Sequence, residues 1–516
     1  MRYTQIVSSI FMLILVSGLN AQPSQRRTGD FDIRGFHLDL RIQVMTPEAL
    51  KAFAKELSDF GINTLVMEWE ATYPFREHLT ITNKYSYSRK EIEDFIAYCN
   101  SLGIQVIPLQ QSLGHVEYIL RNARYSHLRE DKKDISQLCP TLPEANRELF
   151  TSLLSDLAAT HNSDYIHIGG DETYLLGHCE RCAAKVAEKG KSALFVDHMK
   201  MIAQIVLDLG KTPVMWADII LKYPEAVKDL PAETVFVDWN YGWKINHFGD
   251  VAGLQDQGFT FWGAPAIRSH PDNWYVTAWK KHLENQKDFI PYARNAGYEG
   301  IVMTSWSTTG LYGFIWDVGY EVIDMVQIRN TYPLAGFRIL VAAYARSLEQ
   351  EAPIDPESFV YDYARERFGM DKKDAGKLWD FISAVPELIE NGKPAYSKDI
   401  TALKNKFLNI RNSLYECRVK THKEEFEHFR LMADLRMHYL EFKEIEAAYN
   451  TPGLTEGQVP GLISRLNKVL NDGKVLNKRF ETLMDGFLYP AGIREQNKWR
   501  EAPLHVLSDR LNKRKK

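Results

Sequence analysis

Cysteine is scarce in this sequence: five in 516 residues, Cys99, Cys139, Cys179, Cys182 and Cys417. So few cannot scaffold a chain of this length, so its stability has to come from a packed core. An excess of one charge is missing too. The 63 Lys and Arg against 67 Asp and Glu leave a net charge of -4. That balance excludes the broad basic footprint of a nucleic-acid binder or of a protein held on an anionic membrane, and favours a small neutral partner. Beyond the first 21 residues no apolar run approaches bilayer length, so no transmembrane segment is expected in the mature protein. Internal repeats are absent as well.

What is present is an ordinary globular mixture, 45% apolar and 25% charged, rich in rings: 11 Trp, 25 Tyr and 25 Phe. Aromatic faces build cores, and they also stack on the C–H faces of sugars. The opening stretch stands apart. Arg2 supplies a positive start, Ile6 to Val16 is mostly apolar, and Ser17-Gly18-Leu19-Asn20-Ala21 ends on a small residue. This pattern predicts an export signal, residues 1–21, cleaved near Ala21, and a product delivered to a bacterial periplasm or exterior.

Residues 22–350 alternate β-rich runs with amphipathic helical patterns. Eight strands are expected, at Gly35–Leu40, Asn63–Trp69, Gln105–Leu109, Tyr165–Ile168, Pro213–Trp216, Thr234–Trp239, Thr260–Gly263 and Gly300–Thr304. Helical periodicity covers Pro47–Phe60, Ser88–Leu102, Glu144–Ala159, Ala193–Leu209 and Trp279–Ala296. Eight strands, each followed by a helix, predict an α/β fold of the (β/α)8 TIM-barrel type. After about Gln350 the β-branched alternation stops and Lys/Glu/Leu-rich stretches such as Ala402–Lys420, Glu424–Ala448 and Leu462–Leu483 predict an α-helical C-terminal domain, residues 351–516.

A barrel places its chemistry at the C-terminal ends of its strands. The residues expected there are Asp39 and Arg41, Glu68 and Glu70, Gln110 and Gln111, Asp171 and Glu172, then Trp216, Asp218, Asp238, Trp239, Trp262 and Trp306. Carboxylates walled by indoles suit glycoside chemistry better than metal chemistry, which would call for more His and Asp. The sharpest segment is His167-Ile168-Gly169-Gly170-Asp171-Glu172-Thr173, where two glycines let the chain leave a strand tightly and deliver two adjacent carboxyls to the rim.

His-Ile-Gly-Gly-Asp-Glu resembles the catalytic motif of the family 20 glycoside hydrolases, the β-N-acetylhexosaminidases. Arg34-Gly35-Phe36-His37-Leu38-Asp39 is similar to the first barrel strand of that family, Ile104 to Pro108 with Leu113-Gly114-His115 to its third strand and following histidine, and Leu138-Cys139-Pro140 to the approach to its fourth. In place of the family's Glu-x-Asp-x-Pro-Gly-His stands Leu109-Gln110-Gln111-Ser112-Leu113-Gly114-His115. With Cys179-Glu180-Arg181-Cys182, this resembles the hexosaminidase D branch. No Tyr-Leu-Asp pattern follows the seventh strand, leaving Tyr241 and Tyr275 as candidates for the tyrosine that holds the acetamido carbonyl.

The seventh strand, Phe261-Trp262-Gly263-Ala264-Pro265-Ala266, carries no carboxylate, whereas a glycosidase with a protein nucleophile needs a second one near the acid. The resemblance implies that the substrate's 2-acetamido oxygen attacks instead. Asp171 would orient that group and Glu172 would act as general acid/base, with burial and Asp171 both expected to raise the pKa of Glu172. Arg34 is expected to fork onto sugar hydroxyls, His115 to bond near the sugar or the acid pair, and Asp218 and Tyr241 to touch hydroxyls. Trp216, Trp239, Trp262 and Trp306 are candidate pocket walls. The expected function is an exported exo-β-N-acetylhexosaminidase releasing GlcNAc or GalNAc from an oligosaccharide or glycoconjugate, with no cofactor and no metal. Two alternatives stand beside it: a non-catalytic glycan-binding barrel, and a conventional two-carboxylate retaining glycosidase using Glu68 or Glu70. A local disulfide between Cys179 and Cys182 is the preferred reading of that pair. No oligomeric state is assigned.

Overall fold

The architecture is a closed ring of eight parallel strands carrying helices outside. In the computed structural model, which describes residues 31–269, 272–307 and 331–514, the ring runs through β1 (Ile33–Asp39), β2 (Thr64–Glu68), β3 (Gln105–Leu109), β4 (Tyr165–His167), β5 (Thr212–Trp216), β6 (Val235–Trp239) and β7 (Thr260–Ala264). Past Pro265, β8 (Ala266–Arg268) is a short spur on β9 (Gly300–Ser305), the eighth member of the ring. β1 pairs with both β2 and β9, so the ring has no free edge. All eight expected strands are found, and the chain is an α/β barrel. The expected leader at 1–21 lies outside the described residues.

The helices start where side chains can serve their unpaired N–H groups. α1 (Pro47–Asp59) is capped by Thr46, whose hydroxyl accepts from Ala49 N–H, and α2 (Arg89–Ser101) by a reciprocal box of Ser88 and Glu91. After β3 come a single turn, α3 (Glu117–Leu120), and then α4 (Pro143–Ala158). α5 (Glu180–Asp208) follows β4 and is two helical pieces meeting at Gly190, so the expected helix from Ala193 is only its second part. The expectation of a full helix after every strand fails after β5 and β6. There Pro224 opens a 3₁₀ turn and only one turn, α6 (Ala252–Gln255), forms, because these prolines and polar loops cannot sustain an α-helical ladder. α7 (Trp279–Asn295) and α8 (Arg338–Glu349) complete the outer layer. The Tyr344 hydroxyl on α8 donates to the carbonyls of Gly35 and Ile301, on neighbouring strands β1 and β9.

The C-terminal segment is helical: α9 (Pro356–Phe368), α10 (Lys372–Ser383), α11 (Ile400–Tyr415), α12 (Lys423–Tyr449), α13 (Val459–Met484) and α14 (Pro490–Arg514). Asp355, Asp371 and Asp399 cap three of them, and Gly369 ends α9 in the left-handed region. One apolar cluster joins barrel and helices, running from Phe36 and Leu57 through Phe337 to Phe429, Phe480 and Ile493. Near the start of α1, Met45 bridges to Leu488, and Thr46 N–H donates to the Phe487 carbonyl at 3.0 Å. None of the helices among the described residues is long and apolar enough to cross a membrane.

A second, smaller cluster fills the barrel itself with Ile33, Val66, Ile107, Val214, Val235, Trp262 and Val302. Trp262 is fully buried, 5.2 Å from the Tyr165 ring, where β4 and β9 begin. A Cβ on Gly300 would come within 2.8 Å of its indole and 2.7 Å of Ile33 Cβ. Replacing Gly300 by Ala should therefore overpack this floor and cost about 1–3 kcal/mol, read as a lower urea midpoint with an unchanged slope.

Candidate active site

The rim at the C-terminal strand ends gathers loops that have little conformational freedom. Gly169 (φ +69°) has no room for a side chain, since a Cβ would lie 2.0 Å from Gln111 Oε1, and a Cβ on Gly114 would lie 2.7 Å from the Asp171 carbonyl. These approaches press the loop after β3 onto the loop after β4. Glu70, His115 and Glu172 are three of the six non-glycine residues with positive φ among those described. Such backbone costs on the order of 1–3 kcal/mol per residue and persists only where the surroundings hold it.

The result is a compact acid pair around one imidazole. His115 Nε2 stands 3.4 Å from Asp171 Oδ2 and 3.2 Å from Glu172 Oε2. Burial opposes charge on His115, but Asp171 and Glu172 outweigh it and hold its pKa well above the ordinary histidine value. The expected rise at Glu172 does not occur. Burial pushes its pKa up, yet the His115 hydrogen bond and charge, aided by the Tyr174 hydroxyl donating to Oε1 at 2.7 Å, bring it below the usual carboxylate range. Asp171 is buried, and its Oδ1 has no protein partner. Asp218, just past β5, ties the Glu172 backbone to the end of β6, because its Oδ2 accepts Glu172 N–H at 3.2 Å and its Oδ1 accepts from Trp239 Nε1 at 3.4 Å. Burial and then the Asp171 charge push Asp218 up to about 7.

A second polar group lies under the aromatic side of the rim. Asp39 Oδ1 accepts from Arg41 N–H and Nε–H (2.8 and 3.0 Å), and Oδ2 accepts from Ser307 N–H (2.8 Å). Burial works against the Asp39 charge, but Arg41 overrides it and lowers the pKa to about 2. Arg41 reaches Glu68 as well (3.9 Å) and lies over the Trp306 ring, 5.2 Å from its centroid. Glu68 is fully engaged, with His37 Nε2 at 3.0 Å and Gln111 Nε2 at 3.3 Å. Glu70 is buried without a partner, and burial raises its pKa well above the ordinary value.

The aromatic wall forms from Trp216, Trp239, Tyr241 and Trp306. Trp306 Nε1 donates to Tyr241 Oη at 2.8 Å, Trp216 and Trp306 stand 5.9 Å apart, and Tyr241 lies 5.1 Å from Trp239. Three sequence expectations are displaced. Arg34 is the second residue of β1, exposed at the opposite end of the barrel, so its guanidinium cannot face a rim ligand; Arg41, two residues past the end of β1, occupies the rim instead. Trp262 belongs to the barrel floor. Tyr275 stacks on Tyr439 of α12 (4.2 Å, 9°), away from the acid pair. The sequence assigns no role of their own to His37, Tyr174 and Glu117, which the fold brings to the rim. Glu117 lies just past His115, and burial pushes it up to about 7.

The five cysteines are all free thiols, so the expected Cys179–Cys182 disulfide is not formed. Cys182 sits in the first turn of α5 with its thiol turned toward Glu130 and Cys139.

Comparison with known proteins places these features in a family. The family model for the glycosyl hydrolase family 20 catalytic domain matches residues 31–298, half of the chain. Hexosaminidase D of Bos taurus is 27% identical over 291 residues, which cover 53% of this chain and 84% of that protein. Hexosaminidase D of Homo sapiens is 28% identical over 293 residues, covering 54% and 60%. The solved β-N-acetylhexosaminidase from Bacteroides fragilis NCTC 9343 aligns over 61% of this chain and 65% of its own, at 18% identity and a TM-score of 0.46. With the matched segment running from the start of β1 to the end of α7 and carrying the Asp171-Glu172 pair on the loop after its fourth strand, the chain belongs to glycosyl hydrolase family 20.

Proposed function

We propose that the protein is an exo-acting β-N-acetylhexosaminidase that removes terminal β-linked GlcNAc or GalNAc with retention, using the substrate's own acetamido oxygen as nucleophile. The observation that carries this reading is the buried Asp171 carboxylate, whose Oδ1 has no protein partner while its Oδ2 shares His115 with Glu172. That free oxygen suits an acetamido N–H. As the amide oxygen attacks C1, the C1–O bond to the leaving group breaks and Glu172 protonates the departing oxygen. Asp171 stabilises the positive charge that develops on the amide nitrogen. Water, deprotonated by Glu172, then attacks C1 and reopens the ring. Arg41 and the Trp216–Trp239–Trp306 wall supply the hydroxyl and stacking contacts, with Asp218 and Tyr241 beside them. Export to a periplasm or exterior rests on the apolar leader.

The two-carboxylate alternative has less support. Glu68 is occupied by His37, Gln111 and Arg41, Glu70 is buried in a form that resists ionisation, and β7 ends without a carboxylate. A panel of aryl β-glycosides separates the readings. Only 2-acetamido sugars should be cleaved; glucoside or galactoside hydrolysis would mark a protein nucleophile, and cleavage of none would mark a binding protein.

Glu172→Gln should keep ligand binding and lose roughly 10²–10⁴-fold in turnover on poor leaving groups, with a smaller first-step loss on activated ones. Equal losses across leaving groups count against the assignment.

Asp171→Asn should cripple ring closure with the acid still in place. A stable thiazoline analogue of the intermediate should inhibit the parent strongly and the variant much less. If a 2-fluoro sugar instead traps an adduct on Glu68 or Glu70, substrate assistance is wrong.

The His115 and Glu172 shifts have a kinetic signature. At rest the pair carries one proton, placed on His115 because its pKa is raised and that of Glu172 lowered. Substrate that excludes water draws this proton to Glu172. Loss of activity at high pH therefore tracks the raised His115 pKa, and His115→Asn removes that reservoir, leaving only the carboxyl's own proton. The alkaline limb of kcat/KM should move to lower pH, and an unmoved limb would show that His115 does not hold the proton.

A further inference from the structure

Behind the catalytic loops three thiols and a carboxylate converge from separate stretches of chain. An antiparallel bridge between Arg129 and Leu138 sets Glu130 beside Cys139, while Cys179 caps α5 and Cys182 lies in its first turn. Cys139 Sγ is 3.6 Å from Cys179 Sγ and 3.5 Å from Cys182 Sγ, and Cys182 Sγ is 3.1 Å from Glu130 Oε2. Four ligating atoms, one per residue, lie within 4.8 Å of one another. Glu130, Cys139 and Cys182 are buried.

Disulfide chemistry does not account for this group. An S–S bond needs about 2.0 Å, and three sulfurs cannot all be paired. Tetrahedral zinc does account for it. Zn–S bonds of about 2.3 Å set neighbouring sulfurs about 3.8 Å apart, and a carboxylate oxygen is an accepted fourth ligand. The surroundings are also those of thiolates. Cys182 N–H points at Cys179 Sγ (3.4 Å), Arg181 Nη2 at Cys139 Sγ (3.6 Å), and Glu130 Oε1 is held by Cys179 N–H (2.8 Å). These donors orient the ligands and offset their charge.

We infer that Cys139, Cys179, Cys182 and Glu130 form a structural site for one zinc ion. All four positions are filled by protein, so the ion takes no part in hydrolysis. Its place gives it a task. Leu138 N–H donates to the Leu113 carbonyl, and Gln137 Oε1 accepts from Leu175 N–H. Metal at this point would pin the segment that touches the His115 loop on one side and the Asp171–Glu172 loop on the other.

The test is a metal measurement on the full chain purified under reducing conditions, incubated with zinc and dialysed. About one zinc per chain should be retained. Cobalt in its place should show thiolate-to-metal absorption in the near ultraviolet and the intense visible bands of a tetrahedral ion. Stripping with a strong chelator should lower Tm by several degrees, and zinc should restore it. Cys139→Ser and Cys182→Ser should lose retention at least tenfold, and Cys99→Ala, whose thiol lies on α2, should not. Should either serine variant fail to fold, the cobalt spectrum and the chelator shift of the parent decide. Zinc well below one per chain in the parent, equal zinc in the folded serine variants, a cobalt spectrum without thiolate bands, or a disulfide among the three found by mass spectrometry overturns the site.

Discussion

A single carboxylate, Asp39, ties the first strand of the barrel to the segment that leaves the last. It accepts from Arg41 on its own side and from Ser307 across the seam, and the same Arg41 continues to Glu68 at the end of β2 and to the face of Trp306. Buried charges of this kind survive only when paired and hydrogen-bonded, and removing one partner leaves the others exposed to the full desolvation cost. The rim is therefore built as a unit. Arg41 fixes the indole that forms one wall, Glu68 fixes His37 and Gln111, and Gln111 in turn occupies the space that Gly169 must leave open.

On the opposite side of the mouth, His115 does electrostatic work that neither carboxylate could do alone. Two acids this close would repel; the imidazole between them offsets that repulsion and helps hold the Glu172 carboxyl below its ordinary pKa. Positive φ at His115 and at Glu172 shows that the backbone is bent to permit this contact. Strain in the loops and charge in the site are two views of the same arrangement.

The strand pattern and the acid pair were legible in the sequence because both are local. A β-run, two glycines and two carboxyls are read in one stretch, and each barrel strand announces itself by its apolar residues. Residues whose role depends on depth along a strand were not. Arg34 and Arg41 lie near the two ends of β1, and only the register of the ring shows that Arg34 is at the far one. Trp262 precedes the end of its strand by two residues, enough to place it on the floor. The lowered pKa of Glu172 was equally out of reach, since His115 and Tyr174 converge on it from different loops. The cysteines illustrate the point most sharply. Cys-x-x-Cys is visible at once, but Cys139 and Glu130 join it only through the fold, 40 and more positions upstream.

The bond from Thr46 to Gly486 spans 440 positions, and beside it Met45 pairs with Leu488. During synthesis the loop that follows the first strand thus emerges early and stays uncovered until almost the whole chain is made. Contacts of such long separation are slow to form and leave apolar surface open meanwhile. The earliest part of the barrel to appear is among the last to be finished, and a premature stop anywhere before Gly486 strands it without its cover.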